Sequence, residues 1–220
     1  MTRIAVFDCD GTLVDGQAEV CQSMAEAFAG EGLPLPDMNL VRRIVGLSLP
    51  AAIRRLAPEL DDDINARIVA GYKQAFFARR QEGRIHEPLY DGMADLLHAL
   101  KGDGWMLAVA TGKSDRGLSA CLTAHGLIDL FTSLQTADRH PSKPHPAMLE
   151  AAIFECGGES SGAVMIGDTS FDMEMARAAG VRAVGVDWGY HAAAELLEYG
   201  AVSVAKDITQ LRDMIDAATR

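Results

Sequence analysis

Short apolar runs alternate with amphipathic segments along most of the chain. Helical spacing is clear between some of the runs: Met93, Leu96, Leu97 and Leu100 fall at i, i+3, i+4 and i+7, preceded by Asp91 as the predicted helix cap. The alternation is typical of an α/β fold with a mostly parallel sheet. The predicted strands are Ile4–Phe7, 106–110, 131–134, 163–166, Arg182–Val186 and 201–204.

One region breaks the alternation. From about residue 16 to residue 84 the chain has helical periodicity and no convincing strand, as in the stripe Ile64, Ile68, Tyr72 and Phe76. We therefore predict an all-helical insertion at 16–85, with the α/β core formed by residues 1–15 and 86–220. The two connections near residues 15–16 and 83–88 are the predicted hinges.

Charge narrows the classes of partner. With 20 Lys and Arg against 31 Asp and Glu, the net charge of −11 repels polynucleotides, so we expect no nucleic-acid partner. No stretch approaches the ~20 apolar residues of a membrane helix, and no basic-then-apolar leader opens the sequence. We expect a cytoplasmic protein without a membrane partner; a monomer and a homodimer both stay open.

The first predicted strand leads into Asp8-Cys9-Asp10-Gly11-Thr12. Residues two apart in extended backbone point the same way, so both carboxylates can face one site. Gly11 allows a sharp turn directly afterwards. The alternative for an isolated motif of this kind is an ordinary surface turn, but the apolar strand before it favours a site.

Three further segments lie at or near predicted strand ends. Thr111 and Gly112 offer a hydroxyl and a free amide for a phosphate oxygen, or are a common strand exit. Lys143 lies in a proline-stiffened loop, where it is a fixed cation or a solvated one. Asp168 and Asp172 follow another strand, where Asp168 can also cap a helix. Four such signals in chain order indicate one site, because sites of open α/β sheets lie at the carboxyl ends of the strands.

Mg²⁺ is the cofactor that this set of side chains predicts. The carboxylates of Asp8, Asp10 and Asp168 would repel one another unless a cation lay between them. Carboxylate and carbonyl oxygens suit Mg²⁺ better than Zn²⁺, and no His or Cys residues cluster here. With its charge neutralised, a phosphoryl group is open to attack by a carboxylate.

The complete set resembles a known family. DxDGT at 8–12, Thr111, Lys143 and GDxxxD at 167–172 match, in order, the four motifs of the haloacid dehalogenase superfamily. The resemblance spans the chain and implies a Rossmann-like core, with the helical insertion as a C1-type cap that governs substrate specificity. Asp10 implies a phosphatase or phosphomutase, since other branches lack a carboxylate there.

The resemblance also implies a role for each residue. Asp8 is similar to the family's nucleophile and Asp10 to its general acid/base, while Thr111 and Lys143 correspond to residues that bind the phosphoryl group. The implied magnesium ligands are Asp8, the backbone carbonyl of Asp10, and Asp168. Asp172 is implied to support these ligands largely without contacting the ion itself.

The pattern looks most like phosphoglycolate phosphatases, so we expect a small phosphorylated metabolite as substrate. The cap segment around Gly46 is the predicted specificity loop, in which Arg43 is expected to reach a substrate carboxylate or to be a paired surface residue. Lys113 and Arg116 would add charge at the rim.

Two classes of alternative stay open. β-Phosphoglucomutases resemble this chain but carry cations where it has Val45 and Leu49; a sugar phosphatase or pyrophosphatase belongs to the same group of alternatives. The other class is an inactive binding module that retains the fold.

Overall fold

The computed structural model describes residues 2–219, and at its centre is a sheet of six parallel strands in the order β3-β2-β1-β4-β5-β6. The predicted α/β class is confirmed, and four strands extend one or two residues past their predicted ends. The strands are β1 Ile4–Phe7, β2 Met106–Thr111, β3 Phe131–Thr136, β4 Ala163–Gly167, β5 Arg182–Val186 and β6 Ala201–Ala205.

Helices cover both faces of this sheet and form the insertion after β1. The helices are α1 Gln17–Gly30, α2 Met38–Arg43, α3 Leu49–Leu56, α4 Asp62–Gln81, α5 Met93–Gly102, α6 Asp115–Ala124, α7 Ala147–Glu155, α8 Ser170–Ala178, α9 Ala193–Tyr199 and α10 Ile208–Ala218.

The central strand β1 is buried on both faces, which explains its unbroken apolar sequence. Ala5 and Phe7 belong to the apolar layer that α5, α6 and α10 cover, whereas Ile4 and Val6 belong to the layer beneath α7, α8 and α9. Because β1 lies between β2 and β4, the carboxyl ends of these three strands meet at one edge of the sheet. This edge positions the site described below.

Helices α1 to α4 have an apolar cluster of their own, which includes Met24, Phe28 and Ile68. Asp61 caps α4 by accepting a hydrogen bond from the backbone N–H of Ile64 at 2.8 Å. A buried ion pair between Arg79 of α4 and Glu19 of α1 also joins the two longest of these helices. This packing supports the predicted cap, whose boundaries at 16 and 85 stay a prediction.

The two connections to the cap run side by side. The backbone N–H of Asp15 donates to the carbonyl of Pro88 at 2.9 Å, and that of Tyr90 donates to the carbonyl of Leu13 at 3.1 Å. The segment that leaves the core and the segment that returns to it are therefore joined at the same place.

One predicted detail of α5 is wrong. The residue at its N-cap is Gly92, with φ of +80° and no side-chain cap, and not Asp91. This left-handed backbone turns the chain into the helix without a side-chain acceptor, a conformation that glycine adopts at little cost.

Within residues 2–219, no helix combines the length and the apolar character that crossing a membrane requires.

Candidate active site

The nucleophile candidate Asp8 lies where β1 leaves the sheet. Its backbone N–H still donates to the carbonyl of Ile166 in β4 at 2.9 Å, so the sheet fixes its position. Gly11 then turns the chain with φ of +83°. A Cβ at this glycine would lie 2.2 Å from an oxygen of Asp168, so both the turn and the close approach require glycine.

Lys143 lies in the loop after β3, and its side chain contacts Asp8 at the end of β1. Its Nζ lies 3.0 Å from Oδ1 of Asp8 and 2.7 Å from Oδ1 of Asp172, and all three side chains are buried. A buried ammonium is tolerated when carboxylates balance its charge. These two neighbours outweigh the effect of burial and raise the pKa of Lys143, so it stays protonated at neutral pH.

Asp168 reaches the same point from the end of β4. Its carboxylate accepts hydrogen bonds from the hydroxyl of Thr12 at 2.8 Å and from the backbone N–H of Tyr190 at 2.9 Å. A Cβ at Gly189 would lie only 2.1 Å from the Cβ of Asp168, so the loop after β5 closes tightly over this carboxylate. Sequence reasoning missed this loop, because nothing in its sequence marks it as facing a site.

The three acidic side chains Asp8, Asp168 and Asp172 form a cluster suited to a cation. Each offers an oxygen, and these oxygens lie within 4.8 Å of one another. Burial raises the pKa of Asp8 from 3.8 to about 6, an effect that Lys143 opposes and Asp172 reinforces. Burial, followed by the charges of Asp8 and Asp172, also raises the pKa of Asp168 well above its ordinary value.

The hydrogen bonds of this cluster fit the predicted magnesium ion. Oδ2 of Asp8 is buried without a hydrogen-bond partner, which leaves an acceptor open. Both oxygens of Asp172 are already engaged, Oδ1 by Lys143 and Oδ2 by Thr169. An all-oxygen donor set is the kind that Mg²⁺ prefers. Both oxygens of Asp168 also accept hydrogen bonds, from Thr12 and Tyr190, so the open acceptor that favours direct contact with the ion belongs to Asp8. The direct role of Asp168 and the indirect role of Asp172 stay predictions.

The carboxylate of Asp10 lies apart from this acidic cluster and contacts Lys113 instead. Its Oδ1 accepts from Nζ of Lys113 at 2.8 Å, and the same Nζ lies 2.7 Å from Oε1 of Glu87. Oε2 of Glu87 in turn accepts from Arg80 of α4 at 2.6 Å. We call these four residues the Lys113 network. Asp10's implied contact with the metal, through its backbone carbonyl, stays a prediction.

Opposing effects set the protonation of Asp10. Burial raises its pKa, Lys113 lowers it, Glu87 raises it, and the net shift is upward. Sequence reasoning placed Lys113 at the rim only as extra charge and missed Glu87 and Arg80 entirely. Glu87 lies in a connection without periodicity, so only the fold brings it next to Asp10.

Thr111 ends β2, Gly112 follows it, and both line the same cavity as Asp8. Gly112 is the contact point of the cap: a Cβ there would lie 2.5 Å from the carbonyl oxygen of Leu47 and 2.6 Å from that of Gly46. The backbone N–H of Ser48 also donates to a core side chain, the hydroxyl of Ser142, at 2.8 Å. The predicted specificity loop therefore rests directly on the core.

Arg43 is the one predicted site residue that the fold places elsewhere. Its guanidinium lies 2.9 Å from Glu195 of α9 and does not line the cavity, whereas Gly46 does. Its carbonyl lies 2.9 Å from Nε2 of His191. Contact between Arg43 and a substrate stays a prediction that this arrangement does not support.

A cavity of about 430 Å³ lies between the sheet edge and the cap. The core contributes Asp8, Asp10 and residues of the segments that follow β2 and β3 to its wall, and helices α1 to α4 with their connecting loops contribute the other side. The cavity thus joins the carboxylates to a space large enough for an organic group.

The sequence profile of the haloacid dehalogenase-like hydrolases matches residues 5–186. The chain belongs to this family. Among its relatives, the "Probable phosphatase IndB" of Dickeya dadantii is 35% identical over 201 residues, covering 89% of this chain and 86% of that protein. A phosphoglycolate phosphatase of Nitrosococcus oceani is 29% identical over 222 residues, covering 98% and 97%.

Solved structures agree with the family. The crystal structure of a hydrolase from Pseudomonas syringae superposes with a TM-score of 0.88 at 26% identity, and the whole of both chains is covered. The predictions of the fold, of the family and of a hydrolytic enzyme with phosphatase relatives are therefore confirmed.

Proposed function

We propose that this protein is a Mg²⁺-dependent phosphatase that hydrolyses a small phosphate monoester through an aspartyl phosphate on Asp8. The observation that carries the proposal is the carboxylate of Asp8 at the cavity wall, with Lys143 at 3.0 Å and Oδ2 free of any hydrogen-bond partner. A carboxylate in this setting can attack phosphorus.

In the first half-reaction, a carboxylate oxygen of Asp8 forms a bond to phosphorus as the bond to the ester oxygen breaks. Asp10, whose pKa burial raises, donates its proton to the departing alkoxide. Lys143, Thr111 and the amide of Gly112 supply positive charge and donors for the phosphoryl oxygens.

In the second half-reaction, Asp10 takes a proton from a water molecule, which attacks the phosphorus and releases Asp8 and inorganic phosphate. Mg²⁺, held by Asp8, Asp168 and the carbonyl of Asp10, would supply charge neutralisation for the phosphate. Asp172 would hold Lys143 in place, as its 2.7 Å contact indicates.

Two observations weigh on the alternatives. Val45 and Leu49 line the cavity as apolar side chains, where the sugar-phosphate mutases that this chain resembles carry cations; this favours hydrolysis. All four motifs meet at one point, which favours an enzyme over an inactive binding module. The relatives named phosphoglycolate phosphatases make phosphoglycolate the first ester to test.

The experiment is to trap the phosphoenzyme. With Mg²⁺ and p-nitrophenyl phosphate, whose leaving group needs little protonation, Asp10→Asn should accumulate an aspartyl phosphate, because the base for its hydrolysis is gone. Mass spectrometry should detect one added phosphoryl group on Asp8, and hydroxylamine should remove it.

EDTA and the double variant Asp8→Asn/Asp10→Asn are the controls, and both should abolish labelling. A phosphoryl group on another residue, or full turnover of the wild-type enzyme in EDTA, would contradict the proposal.

A further inference from the structure

The cap side of the cavity is apolar. Helices α1, α3 and α4 and the loop after α2 direct aliphatic and aromatic side chains into it, while the polar lining groups lie mainly on the core side. The apolar lining includes Val20, Met24, Ile44, Val45, Leu49 and Phe76. A leaving group that extends from the phosphate towards the cap therefore meets hydrocarbon.

The cations deepest in this cavity already have partners. Lys113 is shared between Asp10 and Glu87, and Arg80 pairs with Glu87 at 2.6 Å. Neither is free to bind a substrate carboxylate without breaking a buried ion pair. The charge of the Lys113 network is satisfied internally.

The outer cations are placed no better for an acidic substrate. Lys73 lies 3.5 Å from Asp138, and both side chains are substantially exposed. The guanidinium of Arg116 lies over the ring of Phe77, 3.7 Å from its centroid. Lys73 and Arg116 are thus charges at the rim, where water screens them.

The size of the cavity also favours a leaving group larger than a small acid. Its volume of about 430 Å³ is within the range that encloses drug-sized organic molecules, well beyond the needs of a two-carbon acid. The hydroxyls of a sugar would lose water against the aliphatic wall, and each hydroxyl left without a partner would lower affinity about tenfold.

Resting on the phosphatase function above, we propose that the cavity selects phosphate monoesters of apolar alcohols, aromatic or alkyl, over esters of sugars and of hydroxy acids. The phosphate binds at Asp8 and Lys143, and the organic group fills the apolar side of the cap.

A series of esters with a constant phosphate tests this inference. Methyl, butyl, hexyl and benzyl phosphate are compared with phosphoglycolate and glucose 6-phosphate by kcat/KM at saturating Mg²⁺. We expect kcat/KM to rise up to about fourfold for each buried methylene, and benzyl phosphate to exceed both polar esters. A flat alkyl series, or phosphoglycolate as the best ester, would overturn the inference while leaving the phosphatase function standing.

A matched pair of substitutions locates the effect. Val45→Thr places a hydroxyl on the cavity wall and should lower the ratio of kcat/KM for benzyl over methyl phosphate about five- to tenfold. Val202→Thr makes the same change in β6, where Val202 is 56% exposed and outside the cavity, and should leave that ratio unchanged. Equal effects of the two substitutions would count against an apolar subsite at this position.

Binding to Asp8→Asn separates this inference from the chemistry. Calorimetry with hexyl and methyl phosphate should give tighter binding and a more negative heat-capacity change for the hexyl ester. If the wild-type enzyme hydrolyses no ester but Asp8→Asn shows this difference, the phosphatase proposal fails and the apolar subsite stands. Equal affinity and heat capacity for the two esters would overturn the subsite.

Discussion

Two lysines in this protein, Lys143 fully buried and Lys113 nearly so, are each held between two carboxylates, at different places in the fold. Lys143 lies between two aspartates at the sheet edge, and Lys113 lies between an aspartate and a glutamate at the junction of core and cap. In each case two carboxylates balance one buried ammonium and raise its pKa against the effect of burial. The chemistry is the same, but the supporting structure differs.

The cluster around Lys143 lies entirely in the core, on segments that follow β1, β3 and β4. The Lys113 network also includes Glu87 of the returning connection and Arg80 of the cap helix α4. The charge of Lys143 is therefore compensated without any cap residue, whereas Glu87, which compensates Lys113, also pairs with a cation of the cap. We infer that the first cluster defines the chemistry and that the second links Asp10, the proposed general acid/base, to the cap through Arg80.

The largest expected effect is that of Asp8→Asn, which removes the proposed nucleophile from the Lys143 cluster with little change of shape. Turnover of p-nitrophenyl phosphate should fall by about 10⁴–10⁶-fold, as is typical when a nucleophile is lost. Asp138→Asn, at the rim, is the matched control and should stay within a few-fold of wild type. Near-normal turnover of Asp8→Asn would refute its assigned role.

Removing each lysine should separate the two clusters. Lys143→Met leaves Asp8 and Asp172 without their shared cation, and should lower the free energy of unfolding by about 3–5 kcal/mol in metal-free urea titrations. Lys113→Met should destabilise less, because Lys113, Asp10 and Glu87 are 4–10% exposed, whereas the side chains of the Lys143 cluster are 0–1% exposed, so water can partly replace the lost ammonium. Its turnover should fall about ten- to a hundredfold, as Asp10 loses a charged hydrogen bond.

If Lys113→Met proved more destabilising than Lys143→Met, or left turnover unchanged, the inferred difference between the two clusters would be wrong. Lys73→Met, at the exposed end of the same cavity, is the matched control and should alter neither quantity appreciably.

The acidic cluster also predicts how pH and Mg²⁺ act together. Because burial raises the pKa of Asp8 to about 6 and raises that of Asp168 well above its ordinary value, the metal-free folded protein holds more protons than the unfolded chain. This contribution to stability is complete below pH 4 and is lost as the pH rises through 6 and beyond. Mg²⁺ counters the repulsion of the ionised carboxylates, so its stabilising effect should grow with pH.

Thermal unfolding with Mg²⁺ and with EDTA, at pH 5 and pH 8, measures this effect. At a hundred times its Kd, Mg²⁺ should stabilise the pH 8 protein by about 2.7 kcal/mol, and the pH 5 protein by less. Asp168→Asn should remove most of the difference. A shift in Tm that is the same at both pH values would contradict the proposed cation site.

The smallest expected effect is that of Arg43→Ala. An exposed ion pair such as Arg43 with Glu195 contributes about 0–1 kcal/mol, so stability should change little. KM should change by the same factor for phosphoglycolate and for p-nitrophenyl phosphate, since Arg43 does not line the cavity. A selective rise in KM for phosphoglycolate would instead restore the role that its sequence position predicts.

Sequence reasoning succeeded where local pattern and three-dimensional position coincide. Buried parallel strands need apolar runs, so the inner strands could be predicted from such runs, and the edge strands β3 and β6 from shorter apolar segments. The polar residues that follow the inner strands had to share one edge of the sheet. That Asp8 and Lys143 lie together could be predicted in this way, and family resemblance supplied the roles predicted for the motif residues.

What the sequence did not reveal depends on contacts between distant segments. Glu87 and Lys113 are 26 positions apart and meet only because the returning connection passes the end of β2. Arg43 has a neighbour in Glu195, 152 positions away, that no local pattern predicts. The apolar cavity likewise exists only once four helices enclose it.

The close contact at Gly112 has a consequence for how this enzyme varies in evolution. A side chain at position 112 is incompatible with the carbonyl groups of Gly46 and Leu47 in their present positions, so it requires a cap loop that rests farther from the core. Position 112 and the loop at 46–47 should therefore have diverged as a unit. A relative with a larger residue at this position should have a specificity loop that follows a different path.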